Sequence, residues 1–80
     1  ERHDEIVAKV LEEIALLPDR SREVMNGVFV EGLKYREVAE RYGISLSTVK
    51  TLLSNSVKKL RERLDDEFFA GFLLFFYVLK

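Results

Sequence analysis

Eighty residues are enough for one small domain and little more, close to the size at which a single hydrophobic core only just suffices. The absence of cysteine excludes a disulfide framework and a thiolate metal site, and accords with a reducing cytoplasm. A net charge of −1 is unusual for a domain that binds nucleic acid, but counts against one only if the charge is evenly spread.

It is not evenly spread. Residues 1–19 set Glu1, Asp4, Glu5, Glu12, Glu13 and Asp19 against Arg2 and Lys9, a local charge of −4. Residues 34–63 set Lys34, Arg36, Arg41, Lys50, Lys58, Lys59, Arg61 and Arg63 against Glu37, Glu40 and Glu62, a local charge of +5. It is the local field that phosphate meets. For Lys58 to Arg63 alone, a solvated helix face is an equally good account.

Catalytic chemistry finds no footing. His3, the only histidine, lies at the ragged amino end and reads as a solvated terminal residue. Glu12-Glu13 and Asp65-Asp66 are adjacent acids, which point apart on a helix, and neither pair has a nucleophile or basic partner at a compatible spacing. We therefore expect no enzyme, no metal and no cofactor. The chain opens on Glu1 rather than methionine, which we read as the carboxyl-terminal part of a longer protein without a signal peptide.

The pattern predicts an all-α fold: a small four-helix domain over residues 1–64, followed by a hydrophobic helical tail over 65–80. In helix one, over 5–16, Ile6, Val7, Val10, Leu11 and Ile14 form a one-sided stripe. Leu17-Pro18 breaks it, because proline disfavours helical geometry in the residue before it and suits the start of a new helix. Helix two runs over 19–31 with Val24, Met25, Val28 and Phe29 inward. Asn26-Gly27 is a strong hairpin dipeptide, yet its flanks keep helical period. It stays in the helix, at a cost of about 1 kcal/mol for Gly27 relative to alanine.

Residues 35–55, YREVAERYGISLSTVKTLLSN, organise the rest. They read as two helices, 35–42 and 46–64, with Gly43-Ile44-Ser45 making a tight corner. Ala39 is small where the helices cross, Gly43 can take positive φ, and Val49 points back to lock the pair. That spacing is the spacing of a DNA-binding helix-turn-helix, with a plain helical hairpin as the bland alternative. Ser45 fits the N-cap of the second helix.

Turning 100° per residue, Val49, Leu53, Ser56, Val57, Leu60 and Leu64 share one arc and Ser47, Lys50, Thr51, Ser54, Asn55 and Lys58 the opposite one, with Leu52 at the edge. On the second helix of such a motif the polar arc faces the major groove, where Asn can pair with adenine, Lys with guanine, and Ser or Thr with phosphate or base. The expected core is Ile6, Val10, Ile14, Val24, Val28, Val38, Ala39, Ile44, Val49, Leu53 and Leu60.

The tail, FFAGFLLFFYVL over 68–79, has no charge. It is short of the roughly 20 apolar residues that span a membrane, and with only Lys80 as a basic anchor we expect no stable membrane insertion. Asp65-Asp66-Glu67 can cap a helix. A helix apolar all round must be buried all round. One side is expected against Leu11, Leu52 and Leu64, and the other, through Phe68, Phe69, Phe72, Leu73, Phe75 and Phe76, against another molecule, with a homodimer as the form for this fragment.

LPDRSREV (17–24), EGLKYREVAERYGIS (31–45) and STVKTLLSNSVKKLRERL (47–64) resemble domain 4, or region 4, of the extracytoplasmic-function (ECF) sigma factors of bacterial RNA polymerase, over roughly residues 5–64. The resemblance implies a cytoplasmic transcription-initiation factor whose last helix holds the −35 promoter element. Its upper helices would grip the flap-tip helix of the polymerase β subunit, with domain 2 in the missing part of the chain. It assigns base and phosphate contacts to Lys50, Thr51, Ser54 and Asn55, backbone contacts to Tyr35 and Arg36, and the polymerase groove to Val30 and Leu33. Domain 2, polymerase or an anti-sigma factor then join the candidates for the tail.

Three positions depart from the family pattern: Leu52 and Asn55 stand where cations are customary, and Lys34 replaces the usual serine or threonine cap. Fewer cations imply weaker phosphate binding. The LuxR-type output domain is a close competitor through TVKTLLSN. The longer spacing from Val24 to Glu31, Arg61 after Lys59-Leu60 in place of the glycine usual there, and the presence of helix one favour the sigma reading. A helical module that only binds proteins is the third reading.

Overall fold

The structure is a computed structural model describing residues 2–79, with side chains described for 4–74. It is all-helical, with no strand among the described residues: α1 is Arg2–Ala15, α2 Asp19–Met25, α3 Tyr35–Tyr42, α4 Leu46–Arg63 and α5 Asp66–Leu79. No described helix is long and apolar enough to cross a membrane.

Each boundary has a local cause. After α1 the amides of Leu16 and Leu17 bond back three residues, to Glu13 and Ile14, and Pro18, extended at ψ 155°, starts α2. α2 does not simply run on as expected. Over Asn26–Val30 the chain continues as a π-helix, with Glu31 N–H donating to the Asn26 carbonyl at 3.0 Å. Gly27 explains the contact there, since a Cβ on it would stand 3.0 Å from Val38 Cγ2. The glycine is thus a packing requirement as well as a helix-propensity cost, and no hairpin forms.

α3 starts without the customary side-chain cap. Lys34 has only a donor to offer, so the N-cap side chain's half of a capping box is missing, while Glu37 makes the reciprocal half by accepting the Lys34 N–H at 2.8 Å. α5 starts on Asp65, whose carboxylate accepts the Phe68 N–H at 2.8 Å.

The core contains nine of the expected residues, Val10, Ile14, Val24, Val28, Val38, Ala39, Val49, Leu53 and Leu60, and adds Leu17, Met25, Leu64 and Phe72. Ile6 and Ile44 are only partly buried against it. Glu13 is 6% exposed, with Lys9 Nζ at 3.5 Å and Arg63 at 3.6 Å. It ties α1 to the end of α4.

The tail needs a correction. Phe72, expected to face another molecule, is 3% exposed within the chain's own core, its ring 5.1 Å from that of Phe29. Phe68, Phe69 and Leu73 are half-buried against the same core, and Leu64 is buried, Leu52 partly so, while Leu11 stays exposed. His3, Phe75 and Phe76 lie outside the described side chains.

Candidate nucleic-acid interface

The corner between α3 and α4 is built from backbone chemistry. Gly43 sits at φ 64°, ψ 37°, a left-handed conformation that costs a side-chain-bearing residue about 1–2 kcal/mol. Its N–H and that of Ile44 both reach the Ala39 carbonyl. Ser45 Oγ then accepts the Thr48 N–H at 3.0 Å, satisfying an otherwise orphaned donor of α4. Ala39 and Val49, 8% and 0% exposed, close the crossing.

With its core side so fixed, α4 must present its other side to solvent. Val49, Leu53, Ser56 and Leu60 are buried, whereas Ser47, Lys50, Thr51, Ser54, Asn55 and Lys58 are all exposed. The exposed six form two adjacent rows at i, i+4 spacing, Ser47-Thr51-Asn55 and Lys50-Ser54-Lys58.

Open clefts connect these rows to neighbouring helices. Phe29, Tyr35, Lys50, Leu53, Ser54, Val57 and Lys58 surround one of about 420 Å³. Lys34, Tyr35, Arg36, Glu37, Glu40, Leu46 and Lys50 surround a second of about 570 Å³, so Lys50 joins α4 to the start of α3. A third, of about 370 Å³, runs from Asn55, Lys58 and Lys59 to Ser21 on α2.

Tyr35 and Arg36 thus lie beside the Lys50 row, as the motif geometry requires. Phe29 and Ser21 were missed, because their relation to α4 depends on how α2 and its π-helical continuation cross it, and Lys59, on α4 itself, was left out of the polar arc. Val30 is 57% exposed, and Leu33 is half-buried against the core; both lie apart from these clefts.

Structure also sorts the cations. Arg41 pairs with Glu31 at 2.8 Å, and the hydrogen bond to that carboxylate, with a second to Tyr42, holds its guanidinium above the ordinary value. Arg63 is drawn to Glu13, Arg61 lies over the Phe69 ring at 5.9 Å, and Arg20 and Arg22 pair with Glu23 and Asp19. Among the described residues Lys34, Arg36, Lys50, Lys58 and Lys59 remain exposed with neither an ion pair nor a ring contact. All five border the three clefts. Such an edge can bind a polyanion that tracks along α4. No group of His, Cys, Asp and Glu among the described residues is arranged to hold a metal.

A family model described as Sigma-70, region 4, matches residues 11–62, spanning α1 from Leu11 through nearly all of α4. No curated protein and no solved structure matches the chain.

Proposed function

The chain belongs to the Sigma-70, region 4 family, and from that premise we propose that it recognises the −35 element of promoter DNA as part of an ECF sigma factor bound to RNA polymerase. Region 4 is a DNA-binding domain of sigma factors and has no catalytic step to explain. What supports the finer reading is the edge of five unpaired cations beside two exposed polar rows on the second helix of the motif.

In this reading α4 enters the major groove, which is wide enough for a helix. Lys50 reaches guanine or phosphate, Asn55 adenine, and Ser47, Thr51 and Ser54 bases or phosphate oxygens. Tyr35 and Arg36 fix the register on the sugar-phosphate backbone, and Lys58 follows the strand. With Leu52 and Asn55 where cations are customary, intrinsic affinity is modest, so polymerase and the other sigma domain supply the rest in the cytoplasm. Exposed Val30 and half-buried Leu33 are the anchors for the polymerase flap helix. An anti-sigma factor would compete for these surfaces. For the tail, the outward side of α5 meets a second copy of the chain.

Footprinting on promoter DNA with and without core polymerase tests the reading. Protection of the −35 region that depends on polymerase is expected, and disappears when Lys50, Thr51, Ser54 and Asn55 are all replaced by alanine. Unchanged protection in that variant refutes the assigned residues, and full protection without polymerase favours a LuxR-type mode instead.

A further inference from the structure

Phe29 belongs to two neighbourhoods at once. Its ring lies 5.1 Å from that of Phe72, tilted by 50°, a spacing at which aromatic pairs attract beyond their buried area. It also lines the cleft of about 420 Å³ beside Tyr35, Lys50, Ser54 and Lys58. Phe29 sits in the π-helical stretch Asn26–Val30. Such stretches recur at functional sites, and the direction of a side chain there depends on what packs against it.

What packs against it is firmly held. Phe72 is 3% exposed and flanked by Phe69 at 6.0 Å. Gly71 lets α5 approach α1 so closely that a Cβ would come within 2.7 Å of Ile6 Cδ1. Arg61 of α4 lies over the Phe69 ring. α5 nevertheless leaves Lys50, Ser54 and Lys58 exposed, so it supports the polar edge of α4 without covering it.

We propose that Phe29 is a positioning residue for the nucleic-acid face and that α5 is the brace that sets it: Phe72 seated on Phe29 fixes the wall against which Lys50, Ser54 and Lys58 stand. The inference rests on the DNA-binding reading. By linkage, DNA binding in turn favours the docked state of α5, which makes the tail a control point for recognition.

The test uses the 80-residue chain with core polymerase present, as the proposed function requires, and two probes, a short duplex selected from a randomised pool by that unmutated assembly and a shuffled duplex of the same composition. Phe29→Leu and Phe72→Leu keep an apolar side chain but remove the ring pair. Each is expected to lower the ratio of the two affinities about tenfold, the order of one base contact, and the double variant no further than either single one, because both act through the same contact. In the free protein, Phe72→Leu is expected to shift the amide resonances of Ser54 and Val57 as well as those of α1 and α5.

A purely structural role lowers both affinities alike by reducing the folded fraction. An unchanged ratio, or amide shifts confined to α1 and α5, therefore overturns the brace. If the unmutated assembly retains no duplex, the DNA-binding reading itself fails, a result distinct from a discriminating parent whose Phe72→Leu variant discriminates equally well.

Discussion

At Gly27 two effects of opposite sign compete. Alanine is favoured over glycine in a helix interior by about 1 kcal/mol, but its Cβ would meet Val38 Cγ2 at 3.0 Å. Val38 is fully buried and β-branched, so it has little room to yield. Overpacking at such a site costs about 1–3 kcal/mol, so Gly27→Ala should be destabilising on balance, lowering Tm by about 4–8 °C for each kcal/mol of stability removed. A higher Tm would show that Val38 moves freely. Ala39→Leu, at the crossing of α3 with α4, should cost about 1–3 kcal/mol with no propensity gain to offset it.

Ser56→Ala should have the opposite sign. Its hydroxyl is buried without a hydrogen-bond partner among the described residues, a situation that costs about 1–3 kcal/mol, and thermal melts should show stabilisation. Ala39, Gly43 and Val49 were legible in the sequence because the motif's corner leaves each of them few alternatives. The role of Gly27 was not, for its reason lies in a different helix.

At the scale of elements, helical period was enough to divide α4 into a core arc and a solvent arc, because that division is a matter of angle alone. Which cations that solvent side leaves available is a long-range question. Arg41, Arg61 and Arg63 are drawn to Glu31, Phe69 and Glu13, while Lys59, next to a lysine already singled out, carries no ion pair. The distinction can be measured. Every phosphate that a variant no longer neutralises should reduce the slope of log K against log salt by about 0.9. Lys59→Ala should therefore flatten the slope by the equivalent of a single phosphate. Arg63→Ala should leave the slope alone and lower Tm instead, since Glu13 would keep only Lys9 as a partner. Equal slopes for the two variants would mean that the ion pairs do not hold in solution. The π-helical stretch was equally invisible, because a single turn of five residues is too short for apolar spacing to tell i→i+5 from i→i+4 bonding.

For the whole molecule, the tail is where composition misled and structure redistributes the roles. A run of twelve uncharged residues signals burial but not where it occurs, and α5 divides it: Phe72 enters the domain core while Leu74 remains 68% exposed. Deleting residues 66–80 therefore cannot be neutral. Removing a buried phenylalanine alone costs about 3–5 kcal/mol, against a total of about 5–15 kcal/mol for a domain, and the truncated chain should melt far below the intact one. Association is better tested without touching the core. Leu74→Glu puts a charge on the outward side of α5 and leaves Phe72, Gly71 and Ile6 in place. If that side pairs with a second copy, the intact chain should sediment as a dimer at tens of micromolar, roughly the range of weak association, and Leu74→Glu as a monomer, with a Tm equal to that of the intact chain only when both are melted at concentrations too low for pairing. An intact chain that sediments as a monomer there would leave α5 with its internal role alone, as the cover of the core and the support of Phe29.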